Sequence, residues 1–302
     1  MRILVTGGTT FVSKFVAEYF VKRCDEVFVI NRNTREQVNG VNLINCDRSE
    51  LKDRLKSIKF DAVLDICTYN EEQLGFLLDA LGEFEDYVFI SSSAVYPQTN
   101  EQPFTESQPC GNNAIWGDYG INKLKAEELL QKRINNAYIL RPPYLYGIYE
   151  NLYREAFVFD CAENNRPFYI PDNGEMKMQF FNVRDLCRFI EIILKEHPKE
   201  KIFNIGNKES VSIKEWASLC YKAVGKEARF VSVDRSINQR EYFPFYNYEY
   251  ELDVSKQETL MKNTIPFYDG LKEEYEWYRD NKDSVYNRKP YIEFIDNNLK
   301  VS

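Results

Sequence analysis

The chain has 302 residues, enough for one large domain or two smaller ones around a substantial core. Its formal net charge of −8 comes without any Lys/Arg block, which argues against nucleic acid or an anionic membrane as partner. Seven cysteines without C-x-x-C spacing and a single histidine, His197, argue against a disulfide framework, a metal site and a His-dependent triad. His197 stands beside a proline in KEHPKEK and is expected in a loop. With no signal-peptide pattern and no membrane-length apolar run, the expected location is a reducing cytoplasm. The 21 Tyr and 21 Phe are expected mainly in core packing.

The first half alternates strand-length apolar runs with amphipathic segments. RILVT reads as a strand, FVSKFVAEYFVKRC as a helix and EVFVI as a second strand. VNLINC, a helical SELKDRLKS, the strand DAVLDI, a helical NEEQLGFLLDALG and the strand YVFISS follow. YILRP and, much later, KIFNIG extend the set. Runs this apolar suit strands covered on both faces, so the expected fold is α/β, a Rossmann-type doubly wound parallel sheet. From about Leu145 the pattern loosens and turns rich in Pro, Asn and Tyr. This predicts a smaller, interleaved C-terminal substrate-binding domain. The division is a dinucleotide-binding domain over 1–165, with contributions from about 180–206, and a mainly substrate-binding region over 166–302.

Two stretches carry chemistry. TGGTTFVS joins the first strand to the first helix, where a doubly wound sheet binds ligands. A helix N-terminus there offers free N–H groups and a positive dipole end to a pyrophosphate. Gly7 and Gly8 suit such a turn; Thr10 and Ser13 replace the second and third glycines usual in it. Ser13 is small enough for close helix–strand packing, and the Thr10 hydroxyl can donate to phosphate. The second stretch is DYGINKLKAEELL, where Tyr119 and Lys123 stand four apart on one helical face. An ammonium near a phenol is expected to lower the phenol's pKa from about 10. A serine hydroxyl from ISSSAVYP can hold a substrate oxygen beside it. Such a trio moves a proton off a carbinol as hydride leaves for nicotinamide.

In order, TGGTTFVS, CDRSEL, SSSAVYP, PFTES, YGINKLKAEE, LRPPYLYG, FFNVRDLCRFI, FNIGNKESVSIKE, YELDVSK and GLKEEYEWY resemble the motifs of the extended short-chain dehydrogenase/reductases. That group contains the nucleotide-sugar epimerases and dehydratases. The resemblance runs from Met1 to about Tyr278; the remaining residues have no counterpart. It implies an NAD(P)-dependent enzyme with Tyr119 as catalytic acid/base, Lys123 as its partner and ribose contact, and Ser92 as the catalytic serine, with Ser93 as alternative. Gly7, Gly8, Thr10, Phe11 and Val12 would cradle the cofactor. Asn31 and Arg32 would face the adenosine ribose, Asp47 and Arg48 the adenine, and Ile66, Cys67 and Pro142 the rest of the cofactor.

Departures from the family pattern narrow the activity. Ser93 and Ala94 stand where family dehydratases carry an Asp-Glu pair, which disfavours sugar 4,6-dehydration. Tyr144 replaces an Asn that commonly touches the substrate phosphate, and Arg240 falls near an Arg that grips pyrophosphate. Ser93, Tyr144 and Arg240 are therefore the candidate substrate residues. The expected function is epimerisation or oxidoreduction at a secondary alcohol or ketone carbon, most specifically of a nucleotide sugar, of the 4-epimerase type. The alternatives are a ketone or aldehyde reductase acting on a non-nucleotide substrate, or a non-catalytic dinucleotide-sensing or RNA-binding relative. Asn31 in place of an acid, followed by Arg32, predicts NADP over NAD. The apolar stripes of GFLLDALG and LKAEELL lie where such enzymes pair, which predicts a homodimer.

Overall fold

A computed structural model describes residues 1–286 and 288–299. Six strands appear in chain order: β1 (Arg2–Thr6), β2 (Glu26–Asn31), β3 (Asn42–Asn45), β4 (Phe60–Asp65), β5 (Phe84–Ile90) and β6 (Tyr138–Arg141). With the later strand Ile202–Asn204 they form one sheet, ordered 202–204, β6, β5, β4, β1, β2, β3, and every pairing is parallel. Val5 of β1 lies opposite Val29 on one side and Leu64 on the other. The chain builds outward from β1 to β3, then restarts at β4 and builds the other way. The strand order therefore reverses beside the carboxyl end of β1, where a ligand crevice forms.

Helices cover both faces. α1 (Phe11–Lys22) and α5 (Val183–Glu196) pack on one face, through Phe15, Val16, Phe20, Leu186, Phe189 and Ile190. α2 (Glu71–Ala80) and α3 (Asp118–Arg133) pack on the other, with Leu74, Leu77, Ala126 and Leu130. A separate core lies among α4 (Glu155–Glu163), α6 (Ile213–Ala223), α8 (Phe267–Asp280) and α9 (Tyr291–Asn298), while the short α7 (Ser255–Leu260) packs Leu260 against the sheet core. The separate core is strongly aromatic, including Phe157, Phe168, Phe180, Trp216, Phe243 and Tyr278. The tyrosine and phenylalanine load thus serves packing, as expected.

One local expectation is corrected. SELKDRLKS is not a helix: Arg48–Glu50 makes one 3₁₀ turn, and Lys52 takes a left-handed φ of 46°. Leu51 and Leu55 are spaced like helical neighbours, but both reach the core from an irregular turn, and Leu55 bridges to Leu81. His197 stands in a loop, as expected, where it caps α5 in the left-handed region with Nδ1 3.3 Å from Asp86 Oδ1. All seven cysteines are free, and among the described residues no helix is long and apolar enough to cross a membrane.

Candidate active site

The cofactor turn is shaped by what a side chain would hit. Gly7 and Gly8 have φ of +92° and +95°. A Cβ on Gly7 would lie 2.6 Å from Cys67 Sγ, and one on Gly8 would lie 2.7 Å from Val29. Only glycine satisfies both the backbone and the space. Ser13 is buried and donates to the Thr10 carbonyl at 2.9 Å, so the serine serves the close packing that its small size led us to expect. The N-cap Thr10 leaves its side chain off the first-turn N–H groups, and that turn carries no acid. These amides and the dipole end of α1 remain available to an anion.

Behind the turn lies a feature that the sequence reading missed. Asp65, at the end of β4, is fully buried and accepts from Thr6 Oγ1 at 2.8 Å, from Tyr87 OH at 2.9 Å and from Thr68 Oγ1. Thr6 Oγ1 in turn accepts from the amides of Ile66 and Cys67 at 2.8 and 2.9 Å. Arg48 completes the cluster through Thr68 and at 3.7 Å from Asp65, so it points inward. Its neighbour Asp47 caps the 3₁₀ turn through Ser49 and stays below the ordinary carboxylate value because of those bonds. An acid inside the apolar run DAVLDI was the available signal, since a buried charge has to be paired.

The end of β5 runs into a 3₁₀ turn over Ser93–Val95, capped by the Ser92 side chain, which accepts from Ala94 N at 3.2 Å. Ser93 Oγ is spent on Tyr250 OH at 3.0 Å, whereas the Ser92 hydroxyl lines the cavity beside Tyr119. The turn abuts α3 at Gly120, where a Cβ would stand 2.3 Å from the Ala94 carbonyl oxygen. That contact brings Tyr119 beside Ser92. A buried network holds the same corner. Arg141 Nε donates to Glu127 at 3.0 Å and Nη1 to Tyr96 OH at 2.8 Å, while Ser91 also donates to Glu127.

Lys123 is 2% exposed and donates to the carbonyls of Thr68 at 2.6 Å and Ile90 at 2.8 Å. Burial pushes its ammonium down to about 8, with Asp65 the leading influence against the fall. The expected lowering of the Tyr119 phenol by Lys123 does not appear. Burial raises Tyr119, and only the Ser92 hydroxyl opposes it. Lys123 shares a face with Tyr119, but its long stem carries the charge down to the strand ends.

These groups line one cavity of about 550 Å³. It gathers Thr10, Phe11, Val12, Ile66, Cys67 and Pro142 with Ser92, Ser93, Tyr119, Lys123 and Tyr144. Tyr119 is 41% exposed as a residue and lines the cavity, while its hydroxyl end is desolvated by the protein beside Ser92. Arg240 does not line it; its guanidinium bonds to the carbonyls of Phe243 and Pro244 and stacks on Tyr246 at 4.6 Å. Asn31, Arg32, Asp47 and Arg48 lie outside it as well. Asn31 braces the turn, its Nδ2 donating to the Gly7 carbonyl at 2.8 Å. Among the described residues no cluster of His, Cys, Asp and Glu could hold a metal.

Residues 76–206 match the NAD dependent epimerase/dehydratase family. The chain is 26% identical to the chloroplast stem-loop binding protein of 41 kDa b of Arabidopsis thaliana, over 91% of this chain and 78% of that protein. It is 25% identical to a putative UDP-glucose 4-epimerase of Methanocaldococcus jannaschii, over 92% of this chain and 99% of that one. The UDP-N-acetylglucosamine 4-epimerase of Bacillus cereus superposes with a TM-score of 0.75 at 21% identity, covering 92% of this chain and 99% of that one. The family's NAD fits the glycine cradle and the uncapped α1 terminus.

The cavity also recruits residues without a motif. Trp116, Glu150 and Arg154 line it, as does Tyr286 from the C-terminal segment that matches no family motif. Asn151 donates to Tyr286 OH at 2.8 Å, and Arg35 stacks on that ring at 4.2 Å. Nothing in the local sequence signals this closure, because it joins parts of the chain more than a hundred residues apart.

Proposed function

We propose that this protein is an NAD(P)-dependent enzyme acting at a secondary alcohol carbon of a nucleotide sugar, most specifically a 4-epimerase. The observation that carries the reading is the convergence of Thr10, Phe11 and Val12 at the start of α1, Ser92 and Tyr119 on one cavity at the switch point of the sheet. The nicotinamide ring supplies the hydride acceptor when the cofactor is bound. Gly7, Gly8, Thr10, Phe11 and Val12 would hold the cofactor, and Ile66, Cys67 and Pro142 would flank it. Ser92 orients the carbinol oxygen. Tyr119 takes the carbinol proton and returns it on reduction. Lys123, anchored on the carbonyls of Thr68 and Ile90, would orient the cofactor ribose.

Conversion of a UDP-hexose panel, followed by chromatography of the sugars, tests the activity. Tyr119→Phe is expected to lower turnover by about 10²–10⁴ while NAD still binds. Turnover near wild type in that variant would overturn the assignment of Tyr119. The enzyme is also proposed to be a homodimer through the outer faces of α2 and α3, and light scattering showing a monomer at working concentration excludes that.

One relative, the chloroplast stem-loop binding protein, favours a second reading, in which this cleft belongs to an RNA-binding protein. The net charge of −8 opposes it. Filter binding with a structured RNA at physiological salt separates the two.

A further inference from the structure

The side chain of Lys123 ends between two strand ends. It donates to the Ile90 carbonyl, which closes β5, and to the Thr68 carbonyl, just beyond β4. Thr68 lies outside any strand or helix, so no ladder bond fixes the direction of its carbonyl. Its side chain does so instead. The Thr68 hydroxyl, fully buried, donates to the Asp65 carboxylate at 2.6 Å, and Arg48 donates to the same hydroxyl. Asp65 also accepts from Thr6 Oγ1 and Tyr87 OH, and Thr6 in turn holds the amides of Ile66 and Cys67. One carboxylate thus fixes the whole turn from Ile66 to Thr68. Ile66 and Cys67 wall the cavity, and Thr68 seats Lys123.

The charges at this corner single out the same group. Around the Lys123 ammonium stand Asp65, Cys67, Glu127 and Arg48, with the Tyr69 ring at 5.4 Å. Burial raises the Cys67 thiol and the Tyr69 phenol, so both stay neutral. Tyr119, on the same helix, is raised by burial as well. Glu127 is engaged by Nε and Nη2 of Arg141 at 3.0 and 2.5 Å. Asp65 does most to hold the charge on Lys123 against burial, while Arg48, 3.7 Å from Asp65, acts the other way. An ionised carboxylate only accepts, and every hydrogen bond of Asp65 among the described residues is donated to it.

We infer that Asp65 is a positioning residue: through Thr68 it fixes the seat of Lys123, and it supplies the counter-charge for the ammonium. The carboxylate is fully buried behind the turn and acts only through other groups. Its two effects are separable. The hydroxyl of Thr68 carries the tether, and the charge of Asp65 acts through space on a desolvated cation. The inference rests on the dinucleotide reading above only for what Lys123 then does, which is to orient the cofactor ribose.

The test is trace acetylation of the full chain, without added cofactor, between about pH 6.5 and 10.5. Mass spectrometry reads the modification of Lys123 separately from that of Lys125. The pH dependence gives the titration midpoint of Lys123, and the limiting rate at high pH gives its accessibility. The wild-type midpoint is expected at about 8. Asp65→Asn keeps the shape and removes the charge, and the midpoint is expected to fall by about one unit. A merely structural role for Asp65 predicts the opposite, because a loosened corner admits water and lets the midpoint climb toward the ordinary 10.5. Thr68→Val keeps the charge and cuts the tether. Its midpoint should stay within about half a unit of the wild type. Its limiting rate should rise by about threefold to tenfold, the worth of one hydrogen bond in the population of displaced lysine. Added NAD is expected to slow the labelling of Lys123 in the wild type. Absence of that protection counts against the dinucleotide reading, while the two variants still decide the role of Asp65. An unmoved or raised midpoint in Asp65→Asn overturns the inference. So does an unchanged limiting rate in Thr68→Val, which settles the matter if Asp65→Asn does not fold.

Discussion

Replacing Lys123 by Met tests the buried ammonium at the centre of the site. In the folded chain its pKa falls from the ordinary 10.5 to about 8. A fall of that size corresponds to about 3 kcal/mol of penalty on the charged form. Below pH 8 both folded and unfolded chains hold the proton, and the penalty is fully present. Between about 8 and 10.5 the unfolded chain still holds the proton while the folded chain has released it. Stability contributed by this group therefore rises with pH across that window, by about 1.4 kcal/mol per pH unit. From pH 7.0 to 9.5 the rise amounts to about 2 kcal/mol. Methionine does not titrate, so subtracting its profile from that of the wild type isolates the effect from the many raised tyrosines, which act in the opposite direction. Urea unfolding of cofactor-stripped protein at both pH values supplies the two differences. The loss of bonds to Thr68 and Ile90 shifts both differences equally and cancels. Profiles that stay parallel within about 0.5 kcal/mol would refute the claim that Lys123 is buried as drawn.

Gly120→Ala places a methyl 2.3 Å from the Ala94 carbonyl oxygen. The cost should be about 1–3 kcal/mol by thermal or urea unfolding, and turnover should drop further, because the clash pushes Tyr119 away from Ser92. Unchanged stability would mean that α3 does not abut the Ser93–Val95 turn. Arg32→Ala is expected to weaken NADP binding selectively, by about tenfold, through loss of a guanidinium contact to the 2′-phosphate. Tighter NAD than NADP binding by the wild type would show that Asn31 and Arg32 do not select the phosphate.

Periodicity alone was sufficient for the sheet. The runs RILVT, EVFVI, DAVLDI and YVFISS are apolar enough to need cover on both faces, and a parallel sheet is what provides it. The glycine turn was legible because backbone conformation there admits little else, with Gly7 and Gly8 both at positive φ. Tyr119, Lys123 and Ser92 were legible as residue types at set spacings, although spacing says nothing about where a long side chain ends. Tertiary packing decided that Lys123 reaches the carbonyls of Thr68 and Ile90, and that burial raises Tyr119. Packing also turned SELKDRLKS from a helix into a turn that seats Leu51 and Leu55. Asp65 ties the end of β4 to the seat of Lys123 on α3, and Tyr286 meets Arg35 from the far end of the chain. Such pairings depend on loop closure and desolvation, which act between residues distant in sequence and leave no local pattern to read.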